Sequence, residues 1–153
     1  MLEFEKIVFV TDTDESTGPL AAALAEHYLP LEKVDIDSRG LMVTFPAPMN
    51  PKTVAVASSK GIEIDHETTQ ISDEDFGQDT LVLVLDETKK QRIYDDFEKA
   101  ANVYTLTEYI DEAGSITNPD GGDLSDYAQM YDLLDETIKK LTDKLKSYKF
   151  KND

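Results

Sequence analysis

The sequence contains no cysteine, which excludes disulfide bonds, thiolate metal ligands and thiol nucleophiles together, and leaves the redox compartment undetermined. Basic residues are also scarce: 15 Lys and Arg stand against 32 Asp and Glu, a formal net charge of −17. The two arginines, Arg39 and Arg92, lie far from the polar segment near the N-terminus. Because a face that follows a phosphate backbone needs clustered Lys and Arg, nucleic acid is not expected as a partner.

Long apolar runs are missing as well. None approaches the roughly 20 residues that a membrane-spanning helix needs, so membrane insertion is not expected. The first residues carry no basic segment and lead directly into an apolar run, which gives no sign of a signal peptide. We therefore predict a cytoplasmic protein. A chain of 153 residues that is 40% hydrophobic and 31% charged suits one globular domain over residues 1–153.

The chain is organised around a segment near its start. Residues 7–10, Ile-Val-Phe-Val, form a short run typical of a strand buried on both faces. No apolar side chain follows until Pro19, which suits the first turn of a helix because it has no N–H to leave unpaired. Loops between a parallel strand and a helix N-terminus are where open α/β proteins bind ligands. The predicted ligand-binding loop consists of Thr11, Asp12, Thr13, Asp14, Glu15, Ser16, Thr17 and Gly18.

Strands and helices are predicted to alternate along the rest of the chain. Further strands are expected at 31–37, 80–85 and 103–106, and further helices from Asn50-Pro51 to Gly61, over 86–100 and over 124–148. Residues 38–40 and 45–49 are expected to form an extended connection. This alternation predicts an α/β fold, a four-stranded parallel sheet flanked by helices on both faces. Residues 7–10 and 81–85 are the expected central strands, and 31–37 an edge strand.

Five stretches carry a resemblance that spans nearly the whole chain. They are the opening strand-loop-helix with Pro19, Asp37-Ser38-Arg39-Gly40, the segment from Asn50-Pro51 to Gly61-Ile62, His66-Glu67-Thr68-Thr69-Gln70, and Ile116-Thr117-Asn118-Pro119-Asp120-Gly121-Gly122 before the long helix. In order and spacing they resemble the low-molecular-weight protein tyrosine phosphatase family, which includes related thiol-dependent arsenate reductases. The resemblance implies a four-stranded parallel sheet flanked by helices, in agreement with the prediction above.

The same resemblance implies which positions would carry the chemistry. The family signature is Cys-x5-Arg-Ser/Thr at the first strand-helix junction, and an aspartate of a late Asp-Pro motif protonates the leaving group. Aligned through Pro19, this chain has Thr11 at the nucleophile, Thr17 at the arginine and Gly18 at the hydroxyl residue. Asn118 stands at the general acid. Every chemical role has changed, so no catalytic residue is expected at these positions.

The replacements remove the chemistry. A threonine hydroxyl is a poor nucleophile without an adjacent base, and the loop contains no histidine or lysine next to Thr11. Thr17 lacks the planar fork of donors with which arginine grips a dianion. Asn118 has the shape of an aspartate but no proton of suitable acidity to donate. The loop is therefore expected to bind and process a phosphoryl group poorly.

The loop also gains three carboxylates, Asp12, Asp14 and Glu15. Like charges about 4 Å apart repel by about 1 kcal/mol in water and by several in a drier pocket, so the loop should repel phosphate. Alternatively, these carboxylates could converge on one point and bind Mg²⁺ or Ca²⁺ through oxygen. A solvated acidic turn that binds nothing is a further interpretation.

Several functional hypotheses remain open. The first is a pseudophosphatase with a binding or regulatory role, whose acidic surface could favour a basic protein partner; in the alternative, the loop has drifted and any function lies on another surface. The second is a Mg²⁺-dependent phosphatase, because Asp12-Thr13-Asp14 resembles the Asp-x-Asp of haloacid-dehalogenase-type phosphatases, which also need a later lysine. The third is residual phosphatase activity through an unconventional nucleophile. His66 and His27 are interpreted as structural.

Overall fold

The computed structural model describes residues 2–29 and 33–152 of the chain. Its strands are β1 (Lys6–Thr11), β2 (Asp35–Gly40), β3 (Thr80–Val84) and β4 (Val103–Thr105). Its helices are α1 (Thr17–Tyr28), α2 (Pro51–Ser59), α3 (Glu87–Asp96), α4 (Leu106–Tyr109) and α5 (Leu124–Asn152), and a short 3₁₀ helix spans Asp73–Asp75. In the described part of the chain, no helix combines the length and the apolar character that crossing a membrane requires.

The strands form one four-stranded sheet in the order β2-β1-β3-β4, and every pairing is parallel. The predicted α/β fold and the central positions of β1 and β3 are thus confirmed. All five residues of β3 are buried, and residues 7–10 of β1 are buried as well. Both strands need apolar side chains at successive positions because both faces of the sheet are covered.

Alternate residues of the central strands enter two separate apolar clusters. On one face, Ile7 and Phe9 pack into the larger cluster together with side chains of α1, α2 and α5. On the other face, Val8 and Val10 pack with Ile93 of α3. Helices therefore cover both faces, as predicted, and the two-residue period of the strand decides which side chain faces which layer.

The predicted bounds of the second strand were wrong. Residues 31–32 lie outside the described residues, and β2 begins at Asp35 and continues to Gly40, where an extended connection was expected. The alternation identified from Ile36 continues in phase, because Ser38 and Gly40 are buried on the same side. These inward positions are polar or small, so a pattern defined by apolar residues ends too early. Thr11 pairs with Gly40 at the end of β1.

Other boundaries shifted by less. The helix expected over 86–100 ends at Asp96, where Phe97 adopts an extended conformation. The short helix α4 was not predicted; Thr105 and Glu108 form its capping box, in which each side chain bonds to the other residue's backbone N–H. The long C-terminal helix begins at Leu124 as predicted and packs against α1 and α2. These elements leave the loop between β1 and α1 at the carboxyl end of the sheet.

Candidate functional site

The loop between β1 and α1 is covered by the segment that follows β2. The backbone N–H of Leu41 donates to the carbonyl of Thr11 at 2.9 Å, and that of Met42 donates to Asp12 at 2.8 Å. Nine residues after Leu41 the chain returns, and the N–H of Asn50 donates to the carbonyl of Glu15 at 2.8 Å. Residues 41–50 thus bind both halves of the loop and fix its path across the end of the sheet.

Asp14 lies at the centre of the loop and is fully buried. Its φ of 60° is in the left-handed region, which Asp and Asn tolerate better than most residues. Its Oδ2 accepts from the backbone N–H of Thr69 at 3.0 Å and lies 2.7 Å from Nε2 of His66. Because a carboxylate oxygen only accepts, Nε2 carries the hydrogen of this bond. The same Nε2 lies 3.3 Å from Oγ of Ser38.

His66 is therefore a hydrogen-bonding residue, as the sequence predicted, but its partner was not foreseen. Asp14 and His66 are 52 positions apart, and no local pattern joins them. The signal that could have connected them is the resemblance itself, which includes both the first loop and the segment that begins at His66. The pair shows that Asp14 has a structural partner and is not a solvated loop carboxylate.

Thr11 and Gly18 face each other across the loop. The N–H of Asp14 donates to Oγ1 of Thr11 at 3.3 Å. A Cβ placed on Gly18 would lie 3.0 Å from this Oγ1 and 3.7 Å from Oδ1 of Asp14, so the absence of a side chain leaves room for the threonine hydroxyl. In the described part of the chain, no imidazole or amine forms a hydrogen bond with Oγ1 of Thr11. Among the described residues, this hydroxyl therefore has no histidine or lysine partner that could act as its base.

Asp12 has a different basic partner from Asp14. Its Oδ2 forms an ion pair with Nζ of Lys89, on α3, at 3.1 Å. The side chain of Asp12 is 43% exposed and that of Lys89 is 28% exposed, so solvent screens part of this attraction. Asp12 and Lys89 are 77 positions apart, so no local pattern in the sequence joins them.

The second half of the loop is anchored to helices. Oγ of Ser16 and Oγ1 of Thr53, on α2, share a buried hydrogen bond of 2.7 Å. Asn50 caps α2 by accepting from the N–H of Lys52 at 2.9 Å, and its Nδ2 donates to the hydroxyl of Tyr127, on α5, at 3.1 Å. Thr17 is buried at the first position of α1, whereas Thr13 and Glu15 are exposed.

The three carboxylates of the loop are not brought to one point. Asp14 is enclosed with His66 and Asp12 pairs with Lys89, while Glu15 is exposed. Within residues 2–29 and 33–152, no group of three or more His, Cys, Asp or Glu side chains is placed to hold a metal ion. The convergence of Asp12, Asp14 and Glu15 that a cation site would require is therefore not found among the described residues, and binding of Mg²⁺ or Ca²⁺ stays a prediction.

Asn118, the residue at the general-acid position, lies on an exposed loop before α5. Its side chain hydrogen-bonds to the side chain of Asp120, and the backbone N–H of Asp120 donates to the carbonyl of Asn118 at 2.9 Å. In the described part of the chain, no hydrogen bond or ion pair joins Asn118 to Thr11–Gly18. This late loop is tied to α2 instead, because Nζ of Lys52 donates to the carbonyl of Gly122 at 2.6 Å.

A separate ion pair lies at the end of β4. Nζ of Lys90 lies 2.9 Å from Oε1 of Glu108, which caps α4 after β4. The hydrogen bond from Lys90, followed by the backbone N–H of Thr105, lowers the pKa of Glu108 below its usual 4.5. The same bond raises the pKa of Lys90. Both groups are closer to solvent than Asp14, which makes them a useful contrast with the loop after β1.

A parallel sheet whose first strand leads through a polar loop into a helix, with a long terminal helix packed beside it, defines an α/β scaffold of the phosphatase type. The family model described as low molecular weight phosphotyrosine protein phosphatase matches residues 6–151. The chain belongs to this family. The resemblance identified from the sequence is thus confirmed.

Individual relatives support the assignment over nearly the whole chain. A low molecular weight protein-tyrosine-phosphatase PtpB of Staphylococcus aureus is 31% identical over 143 residues, covering 90% of this chain and 97% of the relative. A protein-arginine-phosphatase of Bacillus subtilis is 28% identical over 144 residues, covering 92% and 96%. The structure of the YwlE arginine phosphatase from Geobacillus stearothermophilus superimposes with a TM-score of 0.90 at 28% identity and covers 97% of both chains.

The chain therefore has the family fold but lacks cysteine, the residue that serves as the nucleophile in the family signature. No cysteine is present anywhere in the sequence, which is consistent with a lost catalytic nucleophile. The loop itself remains folded, with Thr11 at its start and Gly18 at its end, and two of its three carboxylates, Asp12 and Asp14, have basic partners.

Proposed function

We propose that this protein is a catalytically inactive member of the low-molecular-weight phosphatase family, a pseudophosphatase that acts as a cytoplasmic binding or regulatory protein. The observation that carries the proposal is the environment of Thr11. Thr11 has a hydroxyl where the family has its thiol. The described hydrogen bond of this hydroxyl is donated by the backbone N–H of Asp14, and no histidine or lysine accepts a hydrogen bond from it. A threonine hydroxyl in this setting is a weak nucleophile.

The electrostatics of the loop support the same proposal. A phosphate dianion would meet the carboxylates of Asp12, Asp14 and Glu15 in a loop where the family needs positive potential, and Thr17, at the arginine position, offers no bidentate grip. The ammonium of Lys89 is already paired with Asp12 at 3.1 Å. In addition, Asn118, which stands at the position of the general acid, is exposed and hydrogen-bonded to Asp120. No described bond therefore holds this position against the loop after β1.

The direct test is hydrolysis of p-nitrophenyl phosphate by the intact protein without metal, for which no turnover above background is expected. One relative makes a matched variant necessary, because a YwlE mutant structure is described as having a phosphorylated active site serine. A hydroxyl in that active site can therefore carry a phosphoryl group. Metal-free turnover that disappears in Thr11→Ala would show an unconventional nucleophile and overturn the proposal.

A converse experiment tests whether the scaffold still supports the family chemistry. The changes Thr11→Cys, Thr17→Arg, Gly18→Ser and Asn118→Asp are installed together, and only weak activity is expected because the loop carboxylates still oppose the substrate. Adding Asp12→Asn, Asp14→Asn and Glu15→Gln should then raise the activity. A folded seven-site variant that neither binds phosphate nor hydrolyses the ester would mean that the positions are assigned wrongly.

A second candidate is a Mg²⁺-dependent phosphatase with Asp12 as the nucleophile. The observation that favours it is Lys89, a lysine on the helix after a later strand, whose Nζ lies 3.1 Å from Oδ2 of Asp12. The second aspartate of the motif, Asp14, is engaged with His66 and Thr69. Turnover that requires Mg²⁺ and is lost in Asp12→Asn would support this candidate. Calorimetric titration without binding at millimolar Mg²⁺ or Ca²⁺ would remove it.

A further inference from the structure

A groove of about 490 Å³ lies between α2 and residues 63–66. On the helix it is lined by Pro51, Val54 and Ala55, whose spacing of three and four residues places them on one face. At 100° per residue, this face lies on the opposite side of the helix from the buried Val56. Two of its three side chains are exposed and the third is half-buried. The helix therefore presents apolar surface that the core does not cover.

The other wall of the groove is a segment with an unpaired backbone. Residues 63–66 alternate between exposed and half-buried side chains, which is the period of a strand. Both ends are held, because the N–H of Ile62 donates to Ala57 and that of Thr68 to Ala47, each at 2.9 Å. Among the described residues, no backbone–backbone hydrogen bond involves residues 63–65. A fixed segment whose backbone groups lack partners can bind a further strand.

Two carboxylates lie at the same groove. Glu63 and Asp65 line it and are exposed, and no lysine or arginine is among the described residues that line it. Oε1 of Glu63 accepts from Oγ of Ser58 at 2.8 Å, whereas the side chain of Asp65 forms no hydrogen bond or ion pair with another described residue. The groove therefore combines an apolar wall with two carboxylates that have no cationic partner there.

We propose that this groove, here named the α2 groove, binds an extended segment of a partner protein in which an apolar residue lies between two lysines or arginines. Directly opposite residues of paired strands lie on the same face, so the residues on either side of one opposite Ile64 lie opposite Glu63 and Asp65. The apolar side chain packs against Val54 and Ile64. The basic side chains pair with the two carboxylates, and the backbone of the partner pairs with residues 63–65.

The α2 groove reaches the loop after β1 through one side chain. His66 lines the groove, and its Nε2 lies 2.7 Å from Oδ2 of Asp14. A partner in the groove therefore contacts the residue that holds the buried carboxylate of the loop. This inference rests on the proposed function, because it names the class of partner for a family member that binds and does not hydrolyse.

The test is a titration of the intact ¹⁵N-labelled protein with the peptide acetyl-Gly-Ser-Lys-Ile-Lys-Ser-Gly-amide, followed by amide chemical shifts. Two control peptides carry Glu-Ile-Glu, which reverses the charge, or Lys-Ser-Lys, which removes the apolar side chain. We expect saturable shifts at residues 51–58 and 62–66 with a Kd below about 1 mM, and binding at least about tenfold weaker for each control. The affinity should fall as salt is raised, because exposed charges are screened.

Variants of the protein locate the contact. Ala55→Arg places a long cationic side chain in the α2 groove and should weaken binding of the Lys-Ile-Lys peptide at least about tenfold. The matched change Ala113→Arg, at an exposed position outside the groove, should alter it by less than about twofold. Asp65→Lys should weaken binding about tenfold, and Asp143→Lys, on α5, by less than about twofold. The amide spectrum reports whether each variant is folded, and Asp65→Lys serves if Ala55→Arg does not fold.

Each contrary result is distinct. No saturable shifts at about 5 mM peptide, equal binding of the Glu-Ile-Glu peptide, or unchanged affinity in both Ala55→Arg and Asp65→Lys would overturn the inference. Shifts of the groove amides that grow with protein concentration alone would also overturn it, because they would identify a second copy of the chain as the occupant. A failed peptide titration leaves the absence of phosphatase activity in place, whereas turnover of p-nitrophenyl phosphate refutes the proposed function directly.

Discussion

The loop after β1 and the loop before α5 carry the positions of all the family's catalytic roles, yet they differ in how they are held. In the first, Asp14 is fully buried and is bonded to His66 and Thr69 of one later segment, and residues 41–50 bind the loop at both ends. The second leaves Asn118 exposed, with Asp120 as its side-chain partner. A loop can thus lack the cysteine and arginine of the family signature and still have a defined internal structure.

The difference shows how strongly the packing of the fold constrains each loop. The first loop lies between β1, at the centre of the sheet, and α1, so its path affects how both elements pack. The late loop buries Ile116 but leaves Asn118 exposed, and it ends at a helix that begins on its own capping residue, Asp123. Mutations at matched polar positions should therefore have large effects in the first loop and small effects in the second.

The largest effect is expected for Asp14→Ala. It leaves His66 beside an empty site, removes the acceptor for Thr69, and places Ala at a φ of 60°, so we expect a loss of about 4 kcal/mol in the free energy of unfolding. For a chain of this size that corresponds to roughly 10 °C in the melting temperature, measurable by calorimetry. Asn118→Ala, the matched change, should stay within about 0.5 kcal/mol. Equal losses in the two variants would abolish the contrast.

An intermediate effect is expected for Asn50→Ala. This change removes the cap of α2 and the bond to the hydroxyl of Tyr127, while the backbone N–H that donates to Glu15 remains. We expect a loss of about 1.5 kcal/mol in urea unfolding at unchanged slope. Asn50→Asp keeps the capping oxygen but not the amide donor, and should recover most of the loss. A variant as stable as the parent would show that the loop does not depend on this anchor.

A smaller effect is expected for Lys89→Met, which removes the ion pair of the loop and keeps the length of the side chain. Because Asp12 and Lys89 are both partly exposed, the loss should not exceed about 0.5 kcal/mol and should diminish in 1 M NaCl. Asp14→Asn, tested in parallel, should cost more. If Lys89→Met proved the more costly change, the loop would depend on its surface pair and not on its buried one.

The smallest effect concerns the strand end after β4, where the pair is exposed. The folded-state pKa of Glu108 lies below its usual 4.5, so its contribution to stability is present above that pH and is lost as the pH falls through the lowered pKa. Glu108→Gln should therefore be slightly less stable than the parent at pH 7, and the difference in stability should be smaller at pH 3 than at pH 7. Urea midpoints at the two pH values measure it. A difference in stability between parent and variant that increases in acid would contradict the lowered pKa of Glu108.

The sequence predicted the sheet well because its strongest signals are local. The apolar runs at residues 7–10 and 80–85 identify central strands without knowledge of their neighbours, and Asn50-Pro51 identifies a helix start. The second strand was placed too early because its inward positions at Ser38 and Gly40 are not apolar. A pattern of hydrophobicity cannot detect a strand whose buried side is small or polar.

The site was predictable only in part, for a related reason. The loop was located by its place between a strand and a helix, and the replaced positions followed from the resemblance. The partners of its carboxylates could not be predicted, because His66 and Lys89 are distant in sequence and contact the loop only in the folded chain. Charge counting therefore suggested three equivalent carboxylates, where the structure distinguishes one enclosed, one paired and one exposed.

The register of the sheet also determines when the loop can form during synthesis. Ile7 pairs with Leu81 on one side and with Ile36 on the other. The backbone groups on one edge of β1 therefore have no strand to pair with until β3 has been synthesised. During that interval a strand that is apolar on both faces is exposed on the nascent chain, which favours chaperone capture or aggregation. His66 and Thr69 must likewise emerge from the ribosome before Asp14 has its partners. A ribosome stalled before residue 80 should therefore carry a chain that binds chaperones but has no protected first loop.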